Sequence, residues 1–126
     1  MKKMIISIIA FICLILSMNF SLKYLNNVTM ELESKNDLLE ELIVNEDWDK
    51  SYDEVISLLD FIDENSTKMS IFINHQEINS IESEVFKLTQ YVKSKTYDES
   101  LASIHYIKFS VKNINRLQKI NIENIF

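Results

Sequence analysis

Two histidines, one cysteine and 19 carboxylates are the side chains of this 126-residue chain that could support acid–base, nucleophilic or metal chemistry. Of these, His75 has the best surroundings: it sits in Asn74-His75-Gln76-Glu77, with Glu82 further along. A histidine beside a carboxylate can act as an acid–base pair or begin a metal site. A metal, however, needs more ligands converging in space, and His105 is a whole helix away in sequence. The same four residues also fit an Asn-x-x-Glu capping box, in which Asn74 and Glu77 satisfy each other's backbone donors at a helix start. His75 is therefore read as a turn residue and Glu77 as half of a cap. His105, which follows Ile104, falls on a helix flank. No metal ligand, cofactor or catalytic residue is assigned.

Serine is common, but a Gly-x-Ser-x-Gly nucleophile elbow cannot exist in a chain without glycine, and neither can a phosphate-cradling glycine loop. Neighbouring carboxylates such as Glu40 with Glu41, and Asp63 with Glu64, diverge on a helix and read as solvated faces. Trp48 could form a ligand platform or sit at a membrane interface. Because it heads the best apolar seam in the chain, it is read as the anchor between the first two outer helices. A hydrolase using His75 and Glu77 ranks last among the functional readings.

The elements that hold these residues are helical. The chain has neither Gly nor Pro, and tight β-hairpins depend on glycine's access to positive φ. Met4 to Leu22 is an uncharged run of 19 residues between Lys3 and Lys23. As a helix it reaches about 28 Å, close to the roughly 30 Å of a bilayer core. A cleaved signal peptide would show small-x-small residues at the exit; Ser17-Met18-Asn19 and Asn19-Phe20-Ser21 are poor substitutes. Residues 1–22 are accordingly read as an uncleaved signal-anchor in contact with lipid through 4–22. Lys2 and Lys3 put the N-terminus in the cytoplasm, with about three residues on that side, and the C-terminal domain outside it: a single-pass cell-membrane protein. Ser7, Cys13 and Ser17 are small enough for close helix contact in lipid.

Residues 23–126 are enough for one small domain. Cys13 lies in the apolar run, so this domain has no disulfide of its own. The three-four spacing of apolar residues predicts helices over about 23–44, 47–73, 75–94 and 97–117, with an extended tail over 118–126. The first seam is Leu25, Val28, Leu32, Leu39 and Leu42, with Lys35 as its polar member. The second is Trp48, Tyr52, Val55, Leu59, Ile62, Ser66, Met69 and Ile73. The third is Ile78, Ile81, Val85, Leu88 and Val92, and the fourth is Leu101, Ile104, Ile107, Val111 and Ile114. Thr96 and Glu99 suggest a second capping box. Because nothing separates it from the anchor, the first helix is expected to run unbroken, with Asn19, Ser21, Asn26 and Asn27 as the place for a hinge. The expected fold is all-α: a transmembrane helix continuing into an antiparallel four-helix bundle of two helical hairpins. Asp47-Trp48-Asp49-Lys50-Ser51-Tyr52 and Thr96-Tyr97-Asp98-Glu99-Ser100-Leu101 share an order of residue types, 49 positions apart, as a duplicated hairpin or solenoid-like repeats would; the chemistry common to helix starts imposes the same order at least as readily.

Charge is unevenly spread. Residues 31–64 carry a net −11, and residues 65–126 a net +2, within a total of −6. This complementarity suits antiparallel helices. The acidic balance argues against nucleic acid, or an anionic lipid surface, as the main partner.

The opening Lys-Lys with its apolar run, Glu46-Asp47-Trp48, His75-x-Glu77-Ile78-Asn79-x-Ile81 and the ending Ile122-Glu123-Asn124-Ile125-Phe126 together resemble a short membrane-anchored helical family of unknown function from endospore-forming Gram-positive bacteria. The resemblance spans nearly the whole chain and implies an anchored helical domain outside the cell. Its members tend to be encoded near a multi-span membrane protein, which implies a membrane partner. It supplies no reaction, and marks Trp48, His75, Glu77 and Asn124 as interaction or structural residues. The function expected is that of a non-enzymatic accessory or scaffold protein engaging a membrane or envelope protein, in an oligomeric state the residues do not specify. The alternative is an extracytoplasmic small-ligand sensor acting through a partner.

Overall fold

The computed structural model describes the backbone of residues 1–125 and the side chains of residues 1–116. Four helices account for nearly all of it: α1 (Lys2–Val44), α2 (Trp48–Met69), α3 (His75–Lys93) and α4 (Tyr97–Ile125). There is no strand among the described residues. Each helix packs on the next, and α4 returns to α1, which closes the ring. Helices joined by short turns run antiparallel, so this ring is an up-down-up-down bundle of two helical hairpins.

α1 is a single helix of 43 residues, about 65 Å long. The polar cluster expected to hinge it does not: α1 runs unbroken through Asn19, Ser21, Asn26 and Asn27, and two of these side chains bond within the helix. Ser21 Oγ donates to Ser17 O at 2.8 Å, Asn26 Nδ2 to Met30 Sδ at 3.6 Å, and Thr29 Oγ1 to Asn26 O at 3.0 Å. Ser7 Oγ likewise donates to Lys3 O at 2.9 Å, so the hydroxyl inside the apolar segment needs no water. That segment is long and apolar enough to cross a membrane: its mean hydropathy is 2.5, and none of it is buried within the protein. Cys13 is free and exposed.

From Leu25 onward α1 enters a core shared by all four helices, including Leu32, Leu39, Ile43, Val55, Leu58, Ile62, Val85, Leu88, Ile104 and Ile107. Its buried positions 25, 29, 32, 36, 39 and 43 alternate steps of four and three, the heptad period of bundle packing. The polar members of the seam are therefore Thr29 and Asn36, not Lys35, and Ile43 takes the buried place expected of Leu42. Lys35 lies outside it, with its ammonium 5.5 Å from the centre of the Phe61 ring. In α2 the seam runs through Ser51 and Leu58, one position before the expected Tyr52 and Leu59. Ser100 and Ser103 join the core in α4.

The turns at the far end of the bundle are matched. After α1, Glu46 adopts φ 57°; its N–H bonds Ile43 O, and the N–H of Asp47 bonds Leu42 O. After α3, Lys95 adopts φ 58°; its N–H bonds Val92 O, and the N–H of Thr96 bonds Tyr91 O. Both are Schellman turns, which usually place glycine at the left-handed position. Glu46 and Lys95 are 49 residues apart, like Ser51 and Ser100, both of which are fully buried. The sequence echo thus corresponds to one hairpin geometry used twice. The second turn also replaces the expected Thr96 capping box: Thr96 Oγ1 donates back to Tyr91 O at 3.0 Å and so finishes α3 instead of starting α4.

Two helix ends differ from expectation. α2 stops at Met69, not near residue 73, because Ile71 N–H and Phe72 N–H tighten onto the carbonyls of Lys68 and Met69. Ile73 still reaches the core from the turn. α4 does not end near residue 117 with an extended tail; its backbone is helical through Ile125, and no Gly or Pro is present to stop it. Phe126 lies outside the described residues.

A left-handed conformation costs a residue with a Cβ about 1 kcal/mol relative to glycine. Glu46→Gly and Lys95→Gly should therefore each stabilise the fold by roughly 0.5–1 kcal/mol, less the extra unfolded-state entropy of glycine. Chemical denaturation of the two variants in detergent would check this.

Candidate functional site

Each residue singled out from the sequence has a clear place. His75 opens α3 as an exposed residue, and its side chain takes part in no hydrogen bond or ion pair among the described residues. Asn74 caps the helix, but its Oδ1 accepts from Gln76 N–H at 3.0 Å. The N–H of Glu77 bonds the Asn74 carbonyl instead, so the reciprocal capping box does not form. Glu77 is half-buried and lines an open groove of about 390 Å³ between α3 and α4, with Tyr106, Phe109 and Asn113 opposite. Trp48 is partly buried against the core. It faces the end of α3, sharing a groove with Tyr52, Val92 and Lys93. Asn124 lies on the last turn of α4, and its side chain is outside the described residues. Trp48 and the His75–Glu77 pair thus sit at opposite ends of the bundle. No group of three or more His, Cys, Asp or Glu residues among the described ones could hold a metal.

The charges separate two faces. Along the α1–α4 seam acid meets base. Lys108 Nζ lies 3.4 Å from Asp37 and 3.8 Å from Glu40, and His105 Nε2 lies 3.6 Å from Glu40. Deeper in the same seam, the buried Asn36 donates from Nδ2 to Ile104 O at 3.2 Å. The α2 face is different. Asp53, Asp60, Asp63 and Glu64 of α2, and Glu82 of α3, form no ion pair among the described residues. Between α2 and α3 lies a groove of about 550 Å³ in which Asp60, Asp63 and Glu82 surround Leu59 and Phe86. Phe86 is 59% exposed. A second groove, between α1 and α2, brings Asp53, Asp60 and Glu64 around Phe61 and Lys35. The arrangement is acidic, with exposed aromatic surface.

At the other end of α2, Tyr24 fastens the bundle to the helix that carries the apolar segment. Its hydroxyl donates to Asn65 Oδ1 at 3.0 Å, and its ring lies 6.3 Å from that of Phe72 at an interplanar angle of 53°. Burial raises the phenol above its ordinary pKa, which keeps it a donor.

A family model described as a domain of unknown function matches residues 19–125, which takes in the whole bundle. The chain belongs to the DUF4363 family. In this DUF4363 chain the match begins at Asn19, so most of the apolar segment precedes it. No curated protein and no solved structure matches the chain.

Two buried groups were not anticipated from the sequence. Asn36 Oδ1 and Ser100 Oγ have no hydrogen-bond partner among the described residues. The signal that identifies Asn36 is the four-three spacing through Thr29 and Asn36; the apolar residues alone point one position away, to Lys35.

Tyr24→Phe keeps the ring contact and removes the bond to Asn65. It should cost about 1 kcal/mol in global unfolding. Native-state hydrogen exchange should show the loss concentrated at the end of α2 and in residues 70–74.

Proposed function

We propose that this protein is a membrane-anchored, non-enzymatic accessory or scaffold protein, in which the apolar half of α1 holds the bundle at a membrane and the α2 face engages a membrane or envelope protein. The observation that carries this reading is the unpaired acidic face. Asp60, Asp63 and Glu82 enclose Phe86 in an open groove, whereas the carboxylates toward α4 are matched by Lys108. Fixed like charges kept together repel one another, and a basic surface laid on them would relieve that repulsion while covering the exposed ring. Lys2 and Lys3 before the segment, and the acidic chain after it, support a cytoplasmic N-terminus and an extracytoplasmic bundle. The resemblance to a family of endospore-forming Gram-positive bacteria, whose genes lie near that of a multi-span membrane protein, supports a partner in the same membrane.

Co-purification of the full-length tagged protein from membranes in mild detergent should yield a partner that high salt releases, since rim charges are screened. Asp60→Lys combined with Asp63→Lys should reduce recovery of that partner by about tenfold or more, because like-charge contacts across an interface cost several kcal/mol. A photo-crosslinker in place of Phe86 should form an adduct with it. If the protein emerges alone, or the reversed-charge variant recovers the partner undiminished, this reading is wrong.

A further inference from the structure

We infer that the α2–α3 turn is a second membrane contact, with Ile71 inserted into the bilayer interface beside α1 and Lys23 and Lys68 at the level of the lipid phosphates. The inference rests on the reading that the apolar half of α1 spans the membrane, and adds a surface that reading does not contain. Height comes first. α1 is unbroken through Leu22, Lys23 and Tyr24, and Tyr24 is bonded to Asn65. α2 runs antiparallel to α1, so the residues from Asn65 to Met69 descend about 6 Å toward the membrane end. The turn that follows is therefore level with about Asn19 to Ser21, the final turn of the apolar segment.

The composition of the turn agrees with that height. Ile71 is 73% exposed, while Phe72 is half-buried and Ile73 is buried. A large aliphatic side chain held outward at a turn tip has apolar surface to lose to lipid. The Tyr24 and Phe72 rings, 6.3 Å apart, lie where aromatic side chains collect at membrane interfaces. Charge changes sign at the same point. α2 carries Asp60, Asp63 and Glu64 above it, but between Glu64 and Glu77 the chain has no carboxylate, and Lys68 is its only formal charge. Lys23 stands at the same end of α1. The acidic total of the chain therefore does not describe this part of the surface: Lys23 and the turn present cationic and apolar groups, as contact with phosphate headgroups requires.

The test uses the full-length protein in vesicles of phosphatidylcholine and phosphatidylglycerol, carrying one environment-sensitive fluorophore at a time. The native Cys13 reports on the span. In a Cys13→Ser background, Ile71→Cys reports on the turn and Ser94→Cys on the far end of the bundle. At position 71 the expected result is blue-shifted emission, quenched by nitroxides near the lipid headgroup. Cys13 should be quenched by deep nitroxides, and position 94 by neither. Lipid contact at Cys13 with water-like emission at position 71 would overturn the inference while leaving the span intact. Water-like emission at Cys13 would overturn both. Blue-shifted emission at position 71 without lipid quenching would show that a second copy covers Ile71, which also overturns it.

Discussion

An α-helix keeps its direction until something interrupts its hydrogen bonds, and in α1 nothing does. The 43 residues from Lys2 to Val44 form one rod, so the apolar half and the bundle half share an axis. Serine hydroxyls that might have opened the helix bond carbonyls one turn back, and no Pro or Gly is present to kink it. The heights of the other elements follow from this continuity. α2 returns along α1 until Tyr24 meets Asn65 and Phe72, α3 climbs again, and α4 descends to close the ring on α1.

The bundle is held by an apolar core with a few buried polar groups, and those groups act on geometry more than on stability. Asn36 bonds the backbone of α4 through Nδ2, while its Oδ1 has no partner among the described residues. A buried amide half satisfied in this way costs stability relative to an aliphatic side chain. A shift of α4 along α1 would break this bond between the two helices. Ser51 and Ser100 occupy equivalent places in the two hairpins, one turn after the Schellman turns. Their small side chains let the next helix approach closely where the chain has just reversed.

Much of this architecture could be read from composition and spacing. The lack of glycine pointed to helices, and the three-four periodicity located four of them, together with the continuity of α1 and the repeat of the hairpin. The seam of α3 was legible because its apolar residues are also the buried ones, and so was that of α4 from Ile104 onward, whereas at its start the buried residue is Ser100 and the expected Leu101 is half-buried. Those of α1 and α2 shifted by one position in places: at Asn36 and Ser51 because a search for apolar residues passes over polar ones, and at Ile43 and Leu58 because an apolar neighbour, Leu42 or Leu59, fits the spacing as well. The capping boxes failed for another reason. Asn74 does cap α3, but it accepts from the N–H of Gln76, not of Glu77; Thr96 also has the right chemistry for a cap, but Lys95 at φ 58° sends its hydroxyl backward. The candidate binding face was the least legible part. The sequence showed an excess of carboxylates over 31–64 but not which of them α4 would neutralise. That division arises only when α4 lies against α1 and leaves α2 unmatched.

The unbroken α1 also makes the protein a lever. Where its apolar half sits in a bilayer, the tilt of that half, about 20° on average across membrane helices, is carried rigidly to the bundle. The bundle extends about 33 Å beyond Leu22, the height of a 22-residue helix such as α2. With no hinge to absorb the angle, about 10° of added tilt would sweep the turns at Glu46 and Lys95 sideways by about 6 Å over that height. A change of tilt that alters no contact in the core is thereby converted into a displacement of the distal surface by more than the width of an amino-acid side chain.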